Sequence, residues 1–136
     1  MAGCLFCKIG AKEIASESVY EDAHVIAFLD IHPKAPGHTM VVPKVHAETI
    51  LDLPEKEVEP LFRAVRKVIG KVNSGLKPEG YTIGINHGRK AGQMVDHLHV
   101  HVIPRWSGDG GGSIHSIVQN TPGESLAEIA KKIREA

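Results

Sequence analysis

Apolar residues recur along the chain in two rhythms, and these predict most of its elements. Residues 24–30 carry the run Val25, Ile26, Ala27, Phe28 and Leu29, which predicts a strand ending at the polar Asp30. Residues 31–37 hold Pro33, Pro36 and Gly37 and read as a turn-rich loop, after which 38–43 predict a second strand stopped by Pro43. From Asp52, with Glu55 three positions on, the pattern changes period. Asp52 reads as an N-cap with a capping-box glutamate, and Val58, Leu61, Phe62, Val65, Ile69 and Val72 then recur at helical spacing up to residues 73–75. Pro60 lies inside that span, so the helix either bends there or starts nearer Glu57.

Residues 81–86 predict a third strand and 97–103 a fourth, ended by Pro104. The segment 107–121 is a Gly-rich loop followed by a short edge strand over 114–118. The segment 122–135 is a final helix with Leu126, Ile129, Ala130 and Ile133 on one side. With strands outnumbering helices and the long helix falling between the second and third strands, the fold class is α+β. It is a mostly antiparallel sheet of about five strands with one long and one C-terminal helix.

At 136 residues the chain has enough length for one core and one domain spanning 1–136. Its 16 Lys+Arg balance 16 Asp+Glu, which argues against a partner such as duplex nucleic acid, whose phosphates need a basic surface. A small anionic ligand can still be met locally, by backbone N–H groups and a few side chains. No apolar run approaches the ~18 residues of a membrane span and the first residues lack the pattern of a secretory signal, so a cytoplasmic protein without membrane contact is expected. Nine histidines stand out against this ordinary background.

Three of them alternate with Leu98, Val100 and Val102 as His97, His99 and His101. In a strand this places the imidazoles on one face and the aliphatic residues on the other. A metal site is one reading, because His-x-His pairs ligate Zn²⁺ or Fe²⁺. Successive members lie about 6.6 Å apart and the outer pair about 13 Å apart, so at most two can share one ion. Attack on phosphorus is the other reading: a neutral imidazole is a competent nucleophile, and its neighbours can donate to phosphoryl oxygens. His99, flanked on both sides, is then the attacking residue. Its other ring nitrogen must be held by an acceptor such as a backbone carbonyl. Taken alone, Asp30 could equally cap a turn, Asn86 could serve an unusual backbone angle, and His38 and Gln93 carry little signal.

Cys4 and Cys7 form the second constellation. A Cys-x-x-Cys pair is half of a tetrahedral zinc site or a redox pair, and the absence of a preceding strand favours zinc, which needs two more ligands. The Gly-rich stretch 108–112 lacks the Walker order, which excludes a P-loop ATPase.

The row at 97–103 resembles the signature of the histidine triad superfamily of nucleotidyl hydrolases and transferases. The likeness extends to Phe28-Leu29-Asp30-Ile31 with Pro33, to Pro36-Gly37-His38 leading into Val41-Val42-Pro43-Lys44, and to Asn86 with Gly92-Gln93. The resemblance implies a homodimer with a pocket for a purine nucleotide such as AMP. It implies a nucleotide hydrolase that cleaves phosphoramidates, adenylates or diadenosine polyphosphates at the α-phosphate through a nucleotidyl-histidine and releases AMP. A nucleotidyltransferase with the same intermediate and a zinc-stabilised binding module are the alternatives, and a metal-dependent enzyme using His97 and His99 is a third class.

By the same resemblance His99 is the nucleophile, His101 supports the α-phosphate, and His38 holds His99 directly or through His101. Asp30 accepts from the ribose, Asn86 and Gln93 lie near the phosphate and leaving group, and Phe28 and Ile31 line the base site. Zinc-bearing branches imply Cys4, Cys7, His46 and His97 as ligands of a structural Zn²⁺ in a knuckle-like segment 1–12, with no organic cofactor. Ile103-Pro104-Arg105 resembles the dinucleoside-polyphosphate hydrolase side, in which Arg105 and Trp106 reach a second nucleotide or the dimer partner; Arg105 as a solvated strand-end charge stands beside that reading.

Overall fold

A computed structural model describes residues 3–136. Residues 1 and 2 of the N-terminal segment lie outside the described residues. The elements are α1 (Leu5–Gly10), β1 (Ser18–Glu21), β2 (Val25–Leu29), β3 (Thr39–Pro43), α2 (Val58–Leu76), β4 (Gly80–Gly84), β5 (Val100–Arg105) and α3 (Leu126–Arg134). The strands form one five-stranded sheet in the order β1-β2-β3-β5-β4, antiparallel throughout. The α+β expectation is met.

Both faces of the sheet are covered, which is why β2 and β3 read as near-continuous apolar runs. Val25, Ala27, Val41, Leu98, Val100 and Val102 face α2 and pack on its buried stripe of Leu61, Ala64, Val65, Val68 and Val72. Ile26, Phe28, Met40 and Val42 point the other way and meet Phe6 and Ile9 of α1. Met40 pairs with His101 in the register of β3 on β5, so the histidine face of β5 is the α1 face.

The structure settles the Pro60 question. Glu55–Glu57 is a 3-10 turn and α2 begins at Val58, so Pro60 occupies its first turn, where a missing N–H costs no intrahelical bond. Asp52 is not the cap of this helix: its carboxylate accepts from the backbone N–H and the hydroxyl of Thr49. Pro104 does not end the fourth strand. β5 continues to Arg105 because its pairing with β3 stops at Val102, beyond which Pro104 pairs only with Tyr81 of β4.

The edge strand expected over 114–118 does not form; Ile114–Ser116 is a 3-10 turn, and the fifth strand is β1, with a register shift between Ser18 and Tyr20. The final helix starts later than expected, at Leu126, behind a capping box made by Ser125 and Glu128. It buries none of its residues.

Candidate active site and metal cluster

His97 and His99 precede β5 and only His101 lies within it, yet the alternation carries through. Leu98 donates its N–H to the Ala47 carbonyl at 2.7 Å, which keeps the segment extended beside the sheet. Leu98, Val100 and Val102 are buried against α2, and the three imidazoles face the α1 side.

Main-chain groups fix the hydrogen of each ring. His99 Nδ1–H donates to the His97 carbonyl at 2.7 Å, so Nε2 carries the lone pair. Lys34 N–H donates to His38 Nδ1 at 3.1 Å, so the neutral His38 ring carries its hydrogen on Nε2. That hydrogen goes to His101 Nδ1 at 2.9 Å, which leaves His101 with an N–H at Nε2. Burial pushes His38 and His101 below the ordinary histidine range, His101 to about 4, so both rings are neutral at pH 7. His38 makes its ring contact with His101; the ring of His101 in turn stands 5.0 Å from that of His99, at 70°.

Asp30 directly follows β2, beside these rings. Its Oδ1 accepts the His32 N–H at 2.8 Å, the turn-capping role open to such a residue, while Oδ2 stands 3.7 Å from His38 Nε2. Asp30, His38 and His101 also lie close enough together to suggest a metal site. His38 Nε2 and His101 Nδ1 already face each other across a hydrogen bond, so the trio reads as a proton-ordered chain rather than a ligand set.

A cleft of about 530 Å³ opens over these residues. His99 and His101 line its floor, with Phe28, Asp30, Ile31 and Asn86 around them. Gln93 does not line it. That side chain is buried, donates to the Glu48 and Val95 carbonyls at 2.7 and 3.0 Å and accepts from Gly88 N–H at 2.8 Å, so it clamps loops rather than meeting a ligand. The neighbouring Gly92, Met94 and Val95 reach the cleft instead. Arg105 is likewise committed elsewhere, to Asp109, Thr82 and the Gly112 carbonyl, bracing the Gly-rich loop and holding the Asp109 carboxyl well below the usual range.

Part of the cleft lining is one the sequence reading missed: Leu5, Phe6 and Ile9 of α1, continued by Ile14. The signal was present in the apolar residues around the two cysteines, but a six-residue helix is too short to show a period.

Cys4 caps α1, its Sγ accepting the Cys7 N–H at 3.4 Å, and this turn sets both thiols beside His46 and His97. Sγ of Cys4 lies 3.3 Å from His97 Nδ1, and Sγ of Cys7 lies 3.3 Å from His46 Nδ1 and 3.5 Å from His97 Nδ1. A tetrahedral zinc with ordinary bond lengths would separate S and N ligands by about 3.6 Å. The four donor atoms fit such an ion. His97 supports this further: Nε2–H donates to the Pro43 carbonyl at 2.8 Å, which turns the Nδ1 lone pair toward the thiols.

Residues 11–108 match the family model of the HIT domain. The chain is 45% identical over 131 residues to an uncharacterised HIT-like protein of Methanocaldococcus jannaschii, covering 96% of this chain and 98% of the relative. To adenosine 5′-monophosphoramidase HNT1 of Candida albicans it is 34% identical over 139 residues, covering 98% and 91%. The crystal structure of a HIT family protein from Bacillus subtilis superposes with a TM-score of 0.86 at 40% identity, covering 98% of this chain and 96% of that one.

Proposed function

The chain belongs to the HIT family, and from that premise we propose that it is a nucleotide hydrolase releasing AMP from phosphoramidates, adenylates or dinucleoside polyphosphates. The observation that carries this reading is the 2.7 Å bond from His99 Nδ1–H to the His97 carbonyl, which presents a bare Nε2 on a ring lining the cleft.

In the reaction, His99 Nε2 attacks the α-phosphorus. A P–N bond forms as the bond to the leaving group breaks, and water then cleaves the P–N bond, releasing AMP and restoring the lone pair. His101 Nε2–H donates to a phosphoryl oxygen, and His38 keeps that hydrogen on the outward nitrogen by supplying His101 Nδ1 with its own. Asp30 accepts from the ribose hydroxyls, and Asn86 donates to the phosphate or leaving group. Phe28 and Ile31 line the base site, next to the apolar side chains of α1.

Cys4, Cys7, His46 and His97 would hold a zinc ion, which would crosslink α1 to the segment before β5 and supply structure rather than chemistry. The assembly is a homodimer: β4 stands at one end of the sheet and presents Ile83 half-exposed along a pairable edge. Sedimentation of the full chain tests it, a monomeric mass at working concentration being the contrary result.

Chromatography of products from adenosine 5′-phosphoramidate, an aminoacyl-adenylate mimic and diadenosine tetraphosphate tests the reaction. AMP release that disappears in His99→Ala is expected. ADP formation in the presence of phosphate would mark a transferase, and retained AMP binding without turnover of any of the three would mark a binding module.

A further inference from the structure

Phe6 stands between the metal cluster and the nucleophile. Its ring centroid lies 5.1 Å from that of His99 at an interplanar angle of 84°, 6.0 Å from His97 at 72°, and 5.5 Å from Phe28 at 68°. Each is an edge-to-face arrangement of the kind aromatic pairs favour. With 4% of its surface exposed, Phe6 has little room to leave this position.

His99 needs such a neighbour. The bond from Nδ1–H to the His97 carbonyl fixes one ring atom but leaves the plane of the imidazole free to swing about it. Phe6 on one side and His101 on the other define that plane. The pose of Phe6 is itself conditional, because α1 has six residues and cannot persist as an isolated helix. Its anchors are Ile9 in the core and the two thiols that flank Leu5 and Phe6 in the chain.

We propose that Phe6 is a positioning residue that sets the plane of the His99 imidazole, and that metal held by Cys4, Cys7, His46 and His97 controls this through the turn that carries Phe6. The inference rests on the reading of His99 as nucleophile, and extends it from which atom attacks to what aims it. It assigns the metal a bearing on catalytic geometry with no contact to substrate.

The test compares full-length wild-type protein, zinc-loaded and chelated, with zinc-loaded Phe6→Leu. AMP affinity, kcat on adenosine 5′-phosphoramidate and the ring ¹H–¹⁵N correlation pattern of His99 are the readouts. In Phe6→Leu, zinc content is expected to hold and AMP affinity, to which Phe6 contributes part of the apolar lining, to weaken only a few-fold, while kcat falls about 10- to 100-fold, the effect of misaligned reacting groups. The single Nδ1-protonated pattern of His99 is expected to broaden or mix tautomers, and chelated wild type to show the same change. Unaltered kcat with an unaltered His99 pattern would overturn the proposal, as would a loss confined to AMP affinity, which would make Phe6 a wall of the cleft and nothing more. A His99 pattern indifferent to chelation would overturn the metal's part. If wild type releases no AMP while the His99 pattern responds as expected, the hydrolase reading fails and the positioning role stands. Phe6→Met, also apolar and without an aromatic edge, replaces Phe6→Leu if that variant loses cooperative unfolding.

Discussion

His38 Nε2 and His101 Nδ1 stand 2.9 Å apart, and the Lys34 N–H on the far side of His38 gives that contact a direction. His38 donates and His101 receives, so the hydrogen His101 offers to the cleft depends on a residue that does not line it. Replacing His38 by Ala strands a buried ring nitrogen. AMP release is expected to fall about 100-fold with AMP affinity retained. His38→Gln, whose amide can both accept from Lys34 and donate to His101, should recover part of the loss. Steady-state kinetics beside equilibrium AMP binding check the split; equal losses in both would refute it.

Acid should destabilise the fold over a defined window. Burial lowers His101 from 6.5 to about 4 and moves His38 in the same direction. As pH falls from 6.5 toward 4 the unfolded chain takes up protons at these positions that the folded chain refuses, so stability drops through the window and levels off below it. Denaturant unfolding at steps across this range reads the slope, and His101→Asn should flatten it. A slope identical in the variant would remove His101 as its source.

Gly37 has φ +83°, and a Cβ there would come within 2.5 Å of Leu76 Cδ1 and 3.3 Å of Pro104 Cγ. Gly37→Ala therefore carries mainly backbone strain, since the half-exposed Leu76 side chain can turn aside, for an expected cost of about 1–2 kcal/mol. Because the next residue is His38, activity at temperatures where the variant is still folded should fall as well. Melting curves and kcat on the same preparation decide it, and a variant as active as wild type would show that the loop absorbs the change without moving His38.

Gln93→Leu should reveal a clamp rather than a ligand. Three backbone groups from Glu48, Val95 and Gly88 would lose their partner, for a loss of about 2–3 kcal/mol in unfolding free energy. KM for the nucleotide should move little. A large rise in KM at unchanged stability would restore the role in nucleotide recognition that the family resemblance implies.

Zinc removal should act on stability. An ion bound only by the folded chain contributes about 4 kcal/mol at a thousandfold excess over its Kd. Chelated protein and Cys7→Ser should both melt lower than the zinc-loaded form, with metal content measured in parallel. Equal melting temperatures with and without stoichiometric metal would show that the cluster does not bear on folding.

Much of this architecture is legible in the residues. The β-branched runs of β2 and β3 and the period of α2 announce themselves, because burial on two faces or one stripe leaves a compositional trace. β1 does not: Ser18–Glu21 is four residues long, interrupted by a register shift and half-buried. Residues 114–118 look like a strand through Ile114, Ile117 and Val118, yet no partner edge reaches them and all three are exposed. In the site, the alternation of His97, His99 and His101 reveals a shared face, but not which nitrogen of each ring is bare. That is decided by the Lys34 N–H and by the carbonyls of Pro43 and His97, main-chain groups whose orientation only the folded loops define.

The hydrogen pattern has a stereochemical consequence. His99 offers an electron pair and His101, beside it, offers a hydrogen, so the floor of the cleft has a sense of left and right. An α-phosphate aligned for attack at His99 can place only one of its two non-bridging oxygens against His101. Those oxygens, pro-R and pro-S, carry nearly the same charge in solution, and binding gives them different partners. The Rp and Sp α-thio analogues of one nucleotide, alike in charge and shape, would then be processed at different rates.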